Sequence, residues 1–183
     1  MLALIKEFKP ALVFLGKFLV FYLVGNILYG LFIESYGKRA DPITKNVANQ
    51  SAVILNFVAT TVNTEVNPAG PTVMIKANNV VVLSVFEGCN GVNVIIVFVA
   101  FLFAFNSKAK KLVWFLLLGI AVIHIFNLLR ISLLYYTAIY KANYFYYFHK
   151  YFFTAILYLV VFMLWGIWIT ILNNAPKTQT SKA

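Results

Sequence analysis

The chain has 183 residues, of which 62% are hydrophobic and 11% charged, and its mean hydropathy is +0.86. Soluble domains are about 45–50% apolar and about 25% charged, so this composition cannot furnish an ordinary water-facing surface and describes an integral membrane protein. At about 20 apolar residues per spanning helix, the length allows a handful of spans and one small extramembrane segment, and excludes large soluble domains.

The formal charge of +10 comes from 15 Lys plus Arg against 5 Asp plus Glu. The basic residues fall in short clusters between apolar blocks, a pattern of topology and anionic-lipid contact, so membrane lipids are expected partners and nucleic acid is not. The single cysteine, Cys89, allows no internal disulfide. No Cys or His cluster has metal-site spacing, and no metal or cofactor is expected. Glu7, Glu34, Asp41, Glu65 and Glu87 all lie outside the apolar blocks. Carboxylate proton relays, paired-carboxylate hydrolases and HExxH zinc proteases therefore lack residues inside the membrane.

Four apolar blocks, 11–33, 89–106, 112–136 and 151–172, each have the length of a spanning helix. The expected fold is an all-α polytopic membrane protein, one domain over 1–183 with four transmembrane helices. The first block carries Lys17, which can snorkel, and has no small-residue cleavage site, so it reads as an uncleaved anchor. Lys6 and Lys9, then Lys108, Lys110 and Lys111, then Lys177 and Lys182 would share one side, which makes both termini cytoplasmic.

The segment 34–88 is then extracytoplasmic. It starts polar, and 51–62 reads as an apolar-rich interfacial helix. Asn67-Pro68-Ala69-Gly70-Pro71 is a turn, and the β-branched runs 72–76 and 80–86, separated by Ala77-Asn78-Asn79, predict a hairpin that leads into Cys89. The polar tail 173–183 reads as disordered.

Cys89 lies in Glu87-Gly88-Cys89-Asn90-Gly91. The glycines permit unusual backbone angles, and a helix N-terminus favours thiolate, which suits an exposed nucleophile. Glu87 opposes this, so activation needs a cationic or basic partner. Taken alone, such a cysteine is more often a small buried hydrophobe than a nucleophile, and the partner decides. In the third block His124, Asn127 and Arg130 share roughly a 120° arc of one helical face. An arginine within a span costs at least about 2.5–3.5 kcal/mol at the centre and normally faces protein or water. Snorkelling from the outer end is the alternative for Arg130. Asn127, one turn below, could hold the guanidinium.

His124 lies about 9 Å deeper than Arg130 and is read as an interhelical hydrogen-bonding group. His149 closes the aromatic run Tyr144-Phe145-Tyr146-Tyr147-Phe148, otherwise an interfacial belt. On the expected topology Cys89, Arg130 and His149 meet at one level, the extracytoplasmic interface. A hairpin ending beside Cys89 could also hold an extended peptide by strand addition, or could merely pack on the membrane-proximal surface.

Cys89-Asn90-Gly91 as a Cys-x-Gly motif, Asn127-Leu128-Leu129-Arg130 followed by Ile131 as an Asn-x-x-Arg motif, and the later His149 resemble the exosortase/archaeosortase family over about residues 80–172, most closely its compact exosortase F type. The resemblance implies a bacterial cytoplasmic-membrane cysteine transpeptidase that cuts C-terminal sorting signals at the outer face. Such a signal combines a short motif, a spanning helix and a basic cluster, carried by an exported substrate protein. Family members are thought to pass the new C-terminus to an acceptor, here unidentified. Carried over residue by residue, Cys89 is the nucleophile, Arg130 the transition-state stabiliser and His149 the acid/base. Asn127, Asn90 and Gly91 are supporting residues. The larger eight-span exosortases have further helices, and this chain has only the core. The rival class is a non-enzymatic polytopic subunit, an assembly factor or transporter component, with His124, Asn127 and Arg130 as an interhelical polar seam.

Overall fold

The computed structural model describes residues 2–58, 61–105 and 109–173. The expected disordered tail beyond Asn173, with Lys177 and Lys182, lies outside the described residues, as does Lys108.

The first helix, α1 (Leu2–Glu34), is followed by α2 (Pro42–Val58). Asp41 starts α2: its Oδ1 accepts the N–H groups of Ile43 at 2.9 Å and Thr44 at 3.0 Å, with Pro42 in the first helical position. The helix buries Val47, Ala48, Ser51 and Leu55 on one face. At its far end Asn56 accepts from the Val62 N–H at 2.6 Å and donates to the Val62 carbonyl at 2.8 Å. This side chain seats β1 (Val62–Val66) against the helix.

Strands β2 (Val73–Ala77) and β3 (Val80–Val85) complete an antiparallel sheet of order β1-β2-β3. The hairpin expected from 72–86 is present. Its two-residue turn places Asn78 and Asn79 at φ of 48° and 66°, the left-handed pair that a type I′ turn needs. Ile75 pairs with Leu83 and Lys76 with Val81, so Val82 is the extra residue of a bulge.

The expectation of an all-α fold with only a hairpin is thus corrected. The fold is mostly helical and carries three strands, and β1 takes residues partly assigned to an interfacial helix over 51–62. That helix starts earlier, because the Asp41 cap lies beyond its polar first half, and it ends at Val58.

Helix α3 (Val92–Ala104) has 13 residues. At 1.5 Å per residue it is about 20 Å long, short of a hydrocarbon core of about 30 Å. Residues 89–91 of the expected second span are used instead by the end of a 3₁₀ turn, Glu87–Cys89, and a left-handed Gly91. Helix α4 (Ala109–Tyr140) follows, and then α5 (Phe145–Tyr147), a π-helical turn (Phe148–Phe152) and α6 (Phe153–Asn173). Among the described residues three stretches, Phe8–Glu34, Lys111–Tyr140 and Ala142–Ile171, are long and apolar enough to cross a membrane.

Two cores stack end to end. Phe98 and Leu102 of α3, Phe115 and Ile123 of α4, and Leu164 and Trp168 of α6 form one. The sheet, α2 and the last turns of α4, with Ile131, Leu134 and Tyr135, form the other. Both α4 and α6 contribute to the two cores, α6 through Phe153 at one end and Leu164 and Trp168 at the other, and Cys89 belongs to the sheet-side core. In the helical core a Cβ on Gly119 would lie 2.1 Å from Phe98 Cζ, so α3 and α4 approach through a glycine. Gly119→Val should therefore lower thermal stability in detergent, by about 1–3 kcal/mol of overpacking. Gly30→Ala, with nothing within 4 Å of the new carbon, should leave the melting midpoint unchanged.

Candidate active site

Cys89 ends the 3₁₀ turn, its N–H donating to the Phe86 carbonyl at 2.8 Å. Gly91 then reverses the chain at φ 86° and caps α3. A Cβ at Gly91 would also stand 3.1 Å from Cγ and Nδ2 of Asn127. Residue 91 thus needs glycine twice, for its backbone angle and for the closeness of α4. In the space so left, Asn127 Nδ2 donates to the Cys89 carbonyl at 3.0 Å. The expectation that Asn127 holds the Arg130 guanidinium is corrected, since its amide grips the backbone of the cysteine instead.

Asn90 is buried and points away from Cys89. Its Oδ1 accepts the Val92 N–H at 3.0 Å, and its Nδ2 donates to Tyr29 Oη at 2.7 Å and Thr44 Oγ1 at 3.1 Å. Tyr29 Oη donates to the Glu87 carbonyl at 3.3 Å, and the Thr44 hydroxyl donates to Asp41 Oδ2 at 2.5 Å. One carboxamide thus ties the cysteine turn to α1 and to the capped start of α2. Sequence reasoning missed Tyr29, Asp41 and Thr44 as supports. The Asp41-Pro42 cap was the available signal for the last two.

His149 arrives from the other side, in the π-helical turn, and its Nε2 stands 3.5 Å from Cys89 Sγ. A π turn displaces side chains from their α-helical positions, and such turns are frequent at functional sites. The Phe145 ring stacks on the imidazole at 5.8 Å between centroids and 10° between planes. The Thr154 hydroxyl donates to the His149 carbonyl at 3.2 Å.

Arg130 is buried, and its Nε has no hydrogen-bond partner among the described residues, nor has Asn127 Oδ1. The Arg130 charge acts on both the thiol and the imidazole. A buried guanidinium left short of acceptors is costly unless something else arrives to use it. His124 does not join the group. Its Nε2 meets Gln50 Oε1 of α2 at 2.7 Å, the interhelical role expected of it.

A cavity of about 270 Å³ opens beside the thiol. Residues 82–86 form one wall, Ile131, Leu134 and Phe145 the other, and Cys89 and His149 contribute to its lining. Cys89 is therefore a buried residue at a cavity wall rather than an exposed one. Arg130 is not part of that lining, though its charge acts on both lining groups. A thiol beside an imidazole, near a donor-rich cation, is equipped for acyl transfer.

The model of the transmembrane exosortases matches residues 6–166. The chain belongs to the transmembrane exosortase family. No curated protein and no solved structure matches it. The exosortase match reaches back across α1 and the sheet, well before the region near residue 80 where the motif resemblance begins. Together with the three long apolar helices, it makes the chain a multi-pass membrane protein.

Burial pushes the Cys89 thiol of this exosortase above its ordinary range. The Arg130 charge and a backbone hydrogen bond at Phe86 oppose the rise, and Glu87 adds to it. A raised value means that the thiol holds its proton at neutral pH and reactivity climbs as pH rises toward that value. Alkylation of Cys89 should accordingly show a midpoint above the roughly 8.5 of a free cysteine. Arg130→Gln should move it higher still, because the main opposing charge is gone. Rates of maleimide labelling across pH in detergent would check both.

Proposed function

We propose that this exosortase is a cysteine transpeptidase of the cytoplasmic membrane that cuts exported proteins within a C-terminal sorting signal. The observation that carries the proposal is the 3.5 Å approach of His149 Nε2 to Cys89 Sγ across 60 residues of sequence. The chain has one cysteine and two histidines, and the second histidine is engaged with Gln50.

In the proposed reaction His149 Nε2 takes the thiol proton as Cys89 Sγ attacks the peptide carbonyl. The new C–S bond leaves a tetrahedral oxyanion, and the Arg130 guanidinium donates hydrogen bonds to it. Donors of this kind, in a site shielded from water, contribute about 2.7–4 kcal/mol each. His149 then returns the proton to the departing amine as the C–N bond breaks, leaving a thioester on Cys89. An acceptor nucleophile attacks that thioester, gives its proton to His149 and restores the thiol. Asn127, by fixing the Cys89 carbonyl, keeps the sulfur in line.

The proposal includes orientation. With both termini cytoplasmic, α3 would make the fourth crossing, and Cys89, Arg130 and His149 face the extracytoplasmic side. The lysines near the N-terminus and in the tail favour this sense. The substrate would bring its own spanning helix and basic tail into the bilayer, leaving the cut site at the level of Cys89.

Cys89→Ala should abolish processing and leave full-length substrates with an uncleaved C-terminal span, seen by mass spectrometry of membranes. Arg130→Lys should also fail to process, because an ammonium lacks the planar fork of donors. Processing that survives Cys89→Ala would overturn the reading.

A further inference from the structure

The cavity beside Cys89 has an unusual relation to the sheet. A cavity lying on a sheet face meets alternate residues, because successive side chains point to opposite faces. This one is lined by every residue from 82 to 86. It therefore runs along the edge of β3. β3 is a terminal strand of the sheet, and its outer edge makes no backbone hydrogen bond among the described residues. An open edge is a ready template for another strand. The Val82 bulge, which twists the strand, sits where the cavity begins, and the strand from Leu83 onward leads straight into the turn that carries Cys89.

We infer that the free edge of β3 binds the substrate residues immediately upstream of the cleaved bond as an added strand, running parallel to β3. The inference rests on the transpeptidase reading and adds to it how the acyl side of the substrate is held. Direction follows from connectivity. Residues upstream of the bond approach Cys89 in the N-to-C sense, and β3 also runs N-to-C toward Cys89. Downstream residues continue into the membrane helix and are not available to β3. Parallel pairing provides evenly spaced, slanted main-chain bonds that accept many sequences.

Selectivity then comes from the opposite wall. Ile131, Leu134 and Phe145 offer no polar atom from their side chains, and the polar side chains of the lining are Ser84 on the strand and the reacting Cys89 and His149. At about 270 Å³ the space is smaller than the roughly 300–1,000 Å³ of small-molecule sites. It suits a short stretched segment with an apolar side chain beside the cleaved bond. An uncompensated charge there would be desolvated.

Disulfide trapping tests the arrangement. In a Cys89→Ala background, Val82→Cys and Ser84→Cys are paired in turn with synthetic substrates carrying one cysteine at successive upstream positions. Parallel addition predicts that residue 84 traps a position nearer the cleaved bond and that residue 82 traps one two positions farther upstream. The reverse order, or no trapping of a substrate that the intact protein cleaves, would overturn the inference while leaving the transpeptidase reading in place. If the intact protein cleaves no substrate, that reading fails first and the inference with it. With the intact protein, Asp in place of an apolar residue beside the bond should cut cleavage at least about tenfold, and equal cleavage would count against the apolar wall.

Discussion

The hydrogen bond from Asn127 to the Cys89 carbonyl is the constraint on which the site depends. It joins α4, which contributes to both cores, to the turn that carries the thiol. Gly91 makes it possible, because no other residue combines the required φ with room for the Asn127 amide. The two short motifs, Cys-x-Gly and Asn-x-x-Arg, are thus halves of one contact. The glycine of the first admits the asparagine of the second, and the arginine stands one turn farther along the same helix.

Around this contact the protein divides its labour. Asn90 anchors the turn to α1 and α2 through one carboxamide, Asn127 anchors it to α4, and the π turn before α6 brings His149 against the thiol. None of these supports is a disulfide or a salt bridge. In an apolar surrounding, neutral hydrogen bonds avoid the desolvation penalty that buried ion pairs carry. Among the described residues Arg130 is the one buried cation, and its Nε is unpartnered.

Much of this could be read from the chain before any fold was known, for a physical reason. Polar residues are so scarce in the apolar blocks that Cys89, Arg130 and His149 stood out, and two of them lie within hydrogen-bonding reach. The hairpin was legible because Asn78-Asn79 is a turn signal with a backbone preference. The start of α2 was not, because a capping aspartate followed by a polar helical face resembles a loop until its buried face is seen. Strand β1 was hidden for a related reason: its seat is made by Asn56, six residues away and on another element. The role of Asn127 escaped because helical spacing assigns neighbours along a helix and is silent about the backbone packed against it.

Helix α4 has a further consequence. From Lys111 to Arg130 it rises 19 residues, about 28 Å at 1.5 Å each, close to the roughly 30 Å of a bilayer's hydrocarbon core, and beyond Arg130 it packs Ile131, Leu134 and Tyr135 into the sheet-side core. On the proposed orientation one rigid rod thus works as a depth gauge, setting the height of the thiol above the inner surface. A substrate whose own span is much longer than this gauge would present its scissile bond above the thiol, and a much shorter one would draw it below. On the proposed function, the length of the substrate's helix, as well as its sequence, would be part of what is recognised.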